Sequence, residues 1–324
     1  MDRTRRRSRL LIVAAGIALV LGAADAQVTG PPLRGLRWLA PGSDAARILT
    51  QRPTECLTPP TDPEGAYLAE VGRAAFRNPL LLGGQAARVG LACDACHRNG
   101  RTNPDFAFPG VSGPPGTADV TSFVFSSHRG DHLTDPRPIP DLGGPKSALK
   151  VSQSPSSPAL KKFIRGLVTE EFDGHPPSES VLEGLAAYVR ALGSPGCGRA
   201  PSESVTAGAA IADVGRAVSV ARSALLRRDS ATAVVMLQAA RVGLGDLSER
   251  YYGGRLEPQR RQITSAARDL ALIAQHASAS PTEAAQLLAA WTVAGRSWQR
   301  DVLGAESRSL YNRRLLTLAL RNRG

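Results

Sequence analysis

Methionine and aromatic residues are scarce in this chain of 324 residues: there are two Met, and Phe, Trp and Tyr together make up 5%. Few aromatics beside abundant Ala, Leu, Gly and Arg argue against β-sandwiches and favour small helical domains. Lysine is absent from residue 199 onwards, where 18 Arg face 10 acidic residues, so most of the net charge of +12 lies in the last third. Cysteine is confined to Cys56, Cys93, Cys96 and Cys197. The one long apolar run, "LLIVAAGIALVLGAA", is too short for a comfortable membrane span.

That run follows Arg3, Arg5, Arg6, Arg7 and Arg9 and precedes Ala24-Asp25-Ala26, an A-x-A cleavage site. Residues 1–26 therefore read as a secretory signal peptide, which implies export to the periplasm, with an uncleaved N-terminal anchor as the alternative. In an oxidising compartment thiols tend to pair, so Cys56 and Cys197 are expected to form a disulfide that ties together the ends of residues 55–198. Basic patches dock acidic proteins, anionic membranes or nucleic acid. Export argues against nucleic acid, and Arg on solvated helix faces is the plainer explanation.

Residues 27–54 are punctuated by Pro and Gly and read as a lead-in without a periodic core. Asp62-Pro63-Glu64 is a helix start, with Leu68, Val71 and Ala75 as its apolar stripe. Residues 99–158 are Pro-rich and irregular, yet carry Phe106, Phe108, Phe123, Phe125, Ile139 and Leu142, which need an apolar surface to cover. Ser178 caps a helix with Leu182, Leu185, Val189 and Leu192 on one face. Beyond Arg199, helical stripes recur through Ile211–Leu225, Leu237–Leu247 and Ile263–Ile273. A fourth helix opens on a Ser280-Pro281-Thr282-Glu283 capping box and carries Trp291 and Trp298, and a fifth is expected around Leu310–Leu320. Short breaks suit antiparallel neighbours. The fold class expected is all-α: a first domain (55–198) with long irregular loops, followed by an Arg-rich four-helix-bundle-like domain (199–324).

The chemistry sits in "GLACDACHRNG". Cys93, Cys96 and His97 spell C-x-x-C-H, the attachment sequence for one covalently bound haem c, with His97 as proximal iron ligand. A zinc site would want more Cys or His at matching spacing, and a thioredoxin-like pair a βαβ context; neither is present. Scarce methionine then matters. Met1 leaves with the signal segment, and Met236 reads as helix core, so the common Met ligand is missing. The distal candidates are His128 and, second, His132; His175 precedes the last helix of the domain, and His276 reads as a helix-end residue. An open distal face is the other possibility. Asn103-Pro104 is expected to offer a carbonyl to the His97 ring. Arg98, Arg101 and Arg129 read first as solvated surface and second as partners of haem propionates.

"VGRAAFRNPLLL", "LACDACHRNG", "RGDHLTDPRPIPDL" and "EEFDGHPPSESVLEGLAAYVRAL" together resemble the cytochrome domains of the di-haem cytochrome c peroxidase and MauG-like group, over about residues 64–193. The resemblance implies haem attachment at Cys93 and Cys96 and proximal ligation by His97. Those enzymes resemble a pair of haem domains, and this chain has a single C-x-x-C-H. A complete di-haem peroxidase is excluded unless another chain supplies the second haem. Residues 55–198 are therefore expected to be a cytochrome c domain whose long irregular loops wrap the haem, and the expected function is that of an exported electron carrier serving a redox partner, an acidic one suiting the basic last third. A peroxidase-like enzyme acting on hydrogen peroxide at an open distal site, or a haem-based redox or ligand sensor, are the alternatives.

Overall fold

The computed structural model describes residues 33–130, 132–193, 196–197 and 201–321. The signal segment, including Met1, lies outside the described residues.

The chain is mostly helical. α1 (Ala45–Thr50) runs directly into β1 (Gln51–Pro53), and α2 (Pro63–Phe76) follows. Asp62 caps α2 by accepting from the Gly65 N–H, and Pro63 occupies the first helical position where no N–H is needed. α3 (Gly84–Val89) and the single turn α4 (Cys93–Cys96) lead into a tiny hairpin, β2 (His97–Arg98) and β3 (Arg101–Thr102). A second pair, β4 (Thr117–Ala118) and β5 (Arg137–Pro138), is the other regular structure in the Pro-rich stretch. α5 (Ala159–Gly166), which the sequence reading did not anticipate, and α6 (Glu179–Ala191) close the N-terminal unit. Ser178 caps α6 through the Val181 N–H, as its position implied.

β6 (Ser202–Ser204) precedes five helices: α7 (Ala207–Leu226), α8 (Ser230–Arg250), α9 (Glu257–His276), α10 (Pro281–Gly304) and α11 (Arg313–Arg321). α7 packs on α8, α8 on α9, α9 on α10, and α10 returns to α7. The stripes foreseen from the 3.6-residue period are the buried faces: Val214, Val218, Ala221 and Leu225; Leu237, Ala240, Leu244 and Leu247; Ile263, Ala266, Leu270 and Ile273. The Ser280 side chain makes no capping bond, so the expected capping box is not formed. No helix among the described residues is long and apolar enough to cross a membrane.

Two departures from the sequence reading matter for the site. The lead-in is structured: β1 pairs antiparallel with β6, Arg52 opposite Glu203, while Leu33 and Leu49 form a small core with Leu310 and Leu316 beside α11. A strand pair and four leucines contributed from distant positions leave no periodic trace in either segment alone. Moreover, α2 packs on α7 and α8 as well as on α6, and one buried core runs from Phe76 and Phe106 through to Leu270.

Candidate functional site

The platform for the motif is the crossing of α2 and α6, a helix contact matched among the described residues only by that of α7 with α8. It occurs at Gly72 and Gly184, where a Cβ on Gly72 would stand 1.9 Å from the Gly184 carbonyl oxygen. One turn on, Phe76 and Tyr188 pack with ring centroids 5.2 Å apart, and Phe76 lies 6.3 Å from the His97 ring. The buried face of α2 therefore centres on Ala69, Gly72 and Phe76 beside Val71 and Ala75, with the expected Leu68 only partly buried.

From this platform the motif turn is pinned by two asparagines, in roles that the sequence reading did not assign. Asn103 is the first. Its backbone N–H donates to the Cys96 carbonyl (3.0 Å) and its Nδ2 to the Ala95 carbonyl (2.8 Å), satisfying the open end of α4. Asn99 is the second, buried at 1% exposure. With φ of 52° and 73°, Asn99 and Gly100 form the tight turn between β2 and β3. An Asn-Gly pair is the strongest short-range hairpin signal in sequence and could have been read there. Asn99 receives Arg77 at Oδ1 (3.0 Å), gives Nδ2 to the Pro53 carbonyl (2.9 Å), and its N–H meets Asp94 Oδ1 (2.8 Å).

His97 is oriented by a backbone carbonyl, but from the opposite loop to the one expected. Nδ1 lies 3.0 Å from the Pro140 oxygen, in "DPRPIPDL", rather than against Asn103-Pro104. Donation from Nδ1 to that oxygen selects the tautomer that leaves Nε2 with a free lone pair, the form that binds a metal. Burial pushes the His97 pKa down to about 4, with the Pro140 bond opposing, so the ring is neutral at ordinary pH. Cys93 and Cys96 share one helical turn, are unbridged, and burial pushes both thiols up to about 12. A redox-active C-x-x-C pair has the reverse, a lowered thiol pKa. Among the described residues no group of three or more His, Cys, Asp or Glu side chains gathers as a metal cage. Two spare thiols and one oriented imidazole are the donor set that a covalently attached haem needs.

Behind the motif stands a buried acid. Glu55, 8% exposed, accepts from Arg73, from Arg77 (2.8 Å) and from the Tyr188 hydroxyl (2.7 Å). Burial alone would raise its pKa; the Arg77 and Arg73 guanidiniums and the hydrogen bonds outweigh that and hold it at about 2. A depressed folded-state pKa contributes stability that is complete above the unfolded value and is lost as pH falls towards the folded one. The wild type is thus expected to lose about 2–3 kcal/mol between pH 5 and pH 2 that a Glu55→Gln variant does not lose. Urea unfolding of both proteins across that range measures it, and parallel pH profiles would refute the assignment.

Cys56 and Cys197 are joined, S–S 1.97 Å, as expected. Beside them, Arg101 forms a two-pronged pair with Asp141, 2.7 Å to each oxygen, and touches Cys56 Sγ at 2.9 Å. Arg101 is thus tied to the loop that carries Pro140, and is neither free surface nor available to a propionate. Arg129 does lie at the surface, paired with Glu170 and Glu171. Arg98 is a correction: it is partly buried and donates to the Ile48 carbonyl, so it is not solvated surface.

The distal candidates are not assembled around the motif in the same way. His128 is 63% exposed, its Nε2 3.8 Å from Asp173. His132, also exposed and with φ of 61°, packs on the exposed ring of Phe123. His175 is exposed, as is His276 at the end of α9. Met236 is fully buried within α8, in the core role its helix position implied. No protein-family model, curated protein or solved structure matches this chain.

Proposed function

We propose that this chain is an exported mono-haem c-type cytochrome that carries electrons in a periplasmic redox chain or complex. Its cytochrome domain would resemble those of the di-haem peroxidase and MauG-like group. One observation carries the reading: unbridged Cys93 and Cys96 on a single turn, followed by His97 with Nδ1 on the Pro140 oxygen and Nε2 without a hydrogen-bond partner among the described residues. Haem so attached supplies one-electron chemistry at its iron. The two thiols fix the cofactor, Pro140 sets the imidazole plane, and the crossing of α2 and α6 holds the turn that bears all three.

The long stretch 99–158 would wrap the cofactor. Phe106, Val111, Phe125 and Ile139 already belong to the core, while Phe108, Val120, Val124 and Leu142 pack on its margin only partly covered. A porphyrin would complete that apolar margin. Helices α7–α10 read as a four-helix bundle whose exposed arginines offer an acidic redox partner a docking surface. The exposure of His128 and His132 favours keeping the second reading, a haem left open on its distal face to peroxide or to a sensed ligand.

Production in a host with c-type maturation machinery tests the first claim. Wild type is expected to keep its haem through denaturation and Cys93→Ala/Cys96→Ala to lose it; wild type without covalent haem overturns the reading. Carbon monoxide then separates the two functions. A reduced form that binds none supports the electron carrier. Ready binding, with spectra unaltered in His128→Ala and His132→Ala, supports the open site.

A further inference from the structure

On the side of α4 that carries Asp94, Ala95 and Arg98 lies a partly open cavity of about 360 Å³, lined by the lead-in, α2, the motif turn, α7, α8 and Tyr311. Several of its charges are paired with each other or with neighbours: Arg52 with Glu203 and Asp213, Arg73 and Arg77 with Glu55, Arg34 with Glu249 and Asp246. Two guanidiniums are different. Arg98 and Arg250 line the cavity and form no ion pair among the described residues, although Asp94, Asp246 and Glu249 stand on the same walls.

These two arginines are gathered at one place. Arg98 donates to the Ile48 carbonyl, and Arg250 to that of the next residue, Leu49 (2.8 Å), with a longer bond to Leu310 (3.3 Å). They cap the C-terminal carbonyls of α1. A guanidinium has five N–H donors, and these contacts use one on Arg98 and two on Arg250. The remainder border a cavity whose other walls include Trp38, Leu39 and Val214. Like charges held side by side in a partly desolvated space repel unless an anion lies between them. The volume falls at the small end of the range for ligand pockets, where apolar walls and a few placed polar groups set specificity.

We propose that this cavity binds a small organic dianion, its carboxylates held by Arg98 and Arg250 and its carbon skeleton against Trp38. The site goes beyond the electron-carrier reading and stands without it. Arg98 directly follows the iron ligand proposed above, so occupancy would couple the C-terminal helices to the motif turn. Asp246 also lines the cavity, 3.1 Å from Arg34. Its side chain keeps 58% of its surface accessible. It opposes an incoming anion, and its removal is expected to help binding.

Calorimetric titration of the full mature chain with succinate, inorganic phosphate and chloride at equal ionic strength provides the test. Saturable succinate binding at one per chain is expected, at least tenfold weaker in Arg250→Gln and several-fold tighter in Asp246→Asn. Asp246→Asn leaves the Arg250 bonds untouched, so it carries the test if Arg250→Gln fails to fold. No saturable succinate binding, phosphate binding as tight as succinate, or Asp246→Asn binding no tighter than wild type would each overturn the proposal.

Discussion

Gly72→Val is expected to remove more than about 4 kcal/mol of stability, the largest effect of any single substitution considered. The first side-chain atom at this position would stand 1.9 Å from the Gly184 oxygen, 2.3 Å from its carbonyl carbon and 2.8 Å from the Leu185 nitrogen. All three are backbone atoms inside a helix, so none can rotate away; α2 and α6 must separate. Overpacking against side chains usually costs about 1–3 kcal/mol, and the gain from replacing a helical glycine is only about 1 kcal/mol. The clash wins. Gly184→Ala gives the contrast, because its Cβ meets mainly the Val71 side chain at 2.7 Å. It should cost visibly less than Gly72→Ala. Denaturant midpoints of these variants measure the order, and a Gly184→Ala variant as unstable as Gly72→Ala would show that the crossing is not limited by backbone contact. Because Phe76 and Tyr188 sit one turn along the same two helices, separation there also withdraws the support beneath His97.

Loss of the Cys56–Cys197 bridge ranks beside it. The bonded residues are 141 apart in sequence, and the chain-entropy model assigns a loop of that length about 5 kcal/mol. The double variant Cys56→Ala/Cys197→Ala is expected to lose about 3–5 kcal/mol, since removal of a native bridge seldom returns the full entropic value. Thermal unfolding of the variant against wild type, without reductant, reads the loss. An unchanged midpoint would mean that β1–β6 pairing and the shared core already constrain the ends. A second consequence follows from Arg101, which touches Cys56 Sγ and grips Asp141 next to Pro140. On the proposed cytochrome reading, the variant should also retain less covalent haem, as the loop orienting His97 loosens.

How much of the site could be read along the chain varies residue by residue. Cys93, Cys96 and His97 were legible because the motif is local: two thiols three residues apart and an imidazole directly after the second. The caps at Asp62 and Ser178 and the stripes of α7, α8 and α9 were legible for the same reason, since their partners lie three or four residues away. The His97 acceptor was not. A carbonyl on the ring nitrogen was expected from Asn103-Pro104, seven residues on, and came from Pro140, 43 residues away. Every residue has a carbonyl, so side-chain identity cannot mark which one arrives. Glu55 was missed because its partners, Arg73, Arg77 and Tyr188, converge from two other helices. Asn99-Gly100 is the exception: the turn signal was in plain view and was passed over in favour of the motif beside it.

By itself, then, the sequence determined the helical class, the presence of the motif and the partners in the disulfide, all properties of local spacing or of a small inventory of cysteines. Only the tertiary structure decided that the lead-in is folded and that one core spans both helical units. It also decided that Arg98 faces a cavity shared with Arg250, and that His128 and His132 lie exposed. The physical reason is the same throughout. A helix period or an attachment motif is written within one turn of chain, whereas burial and pairing depend on which distant surfaces come to rest against each other.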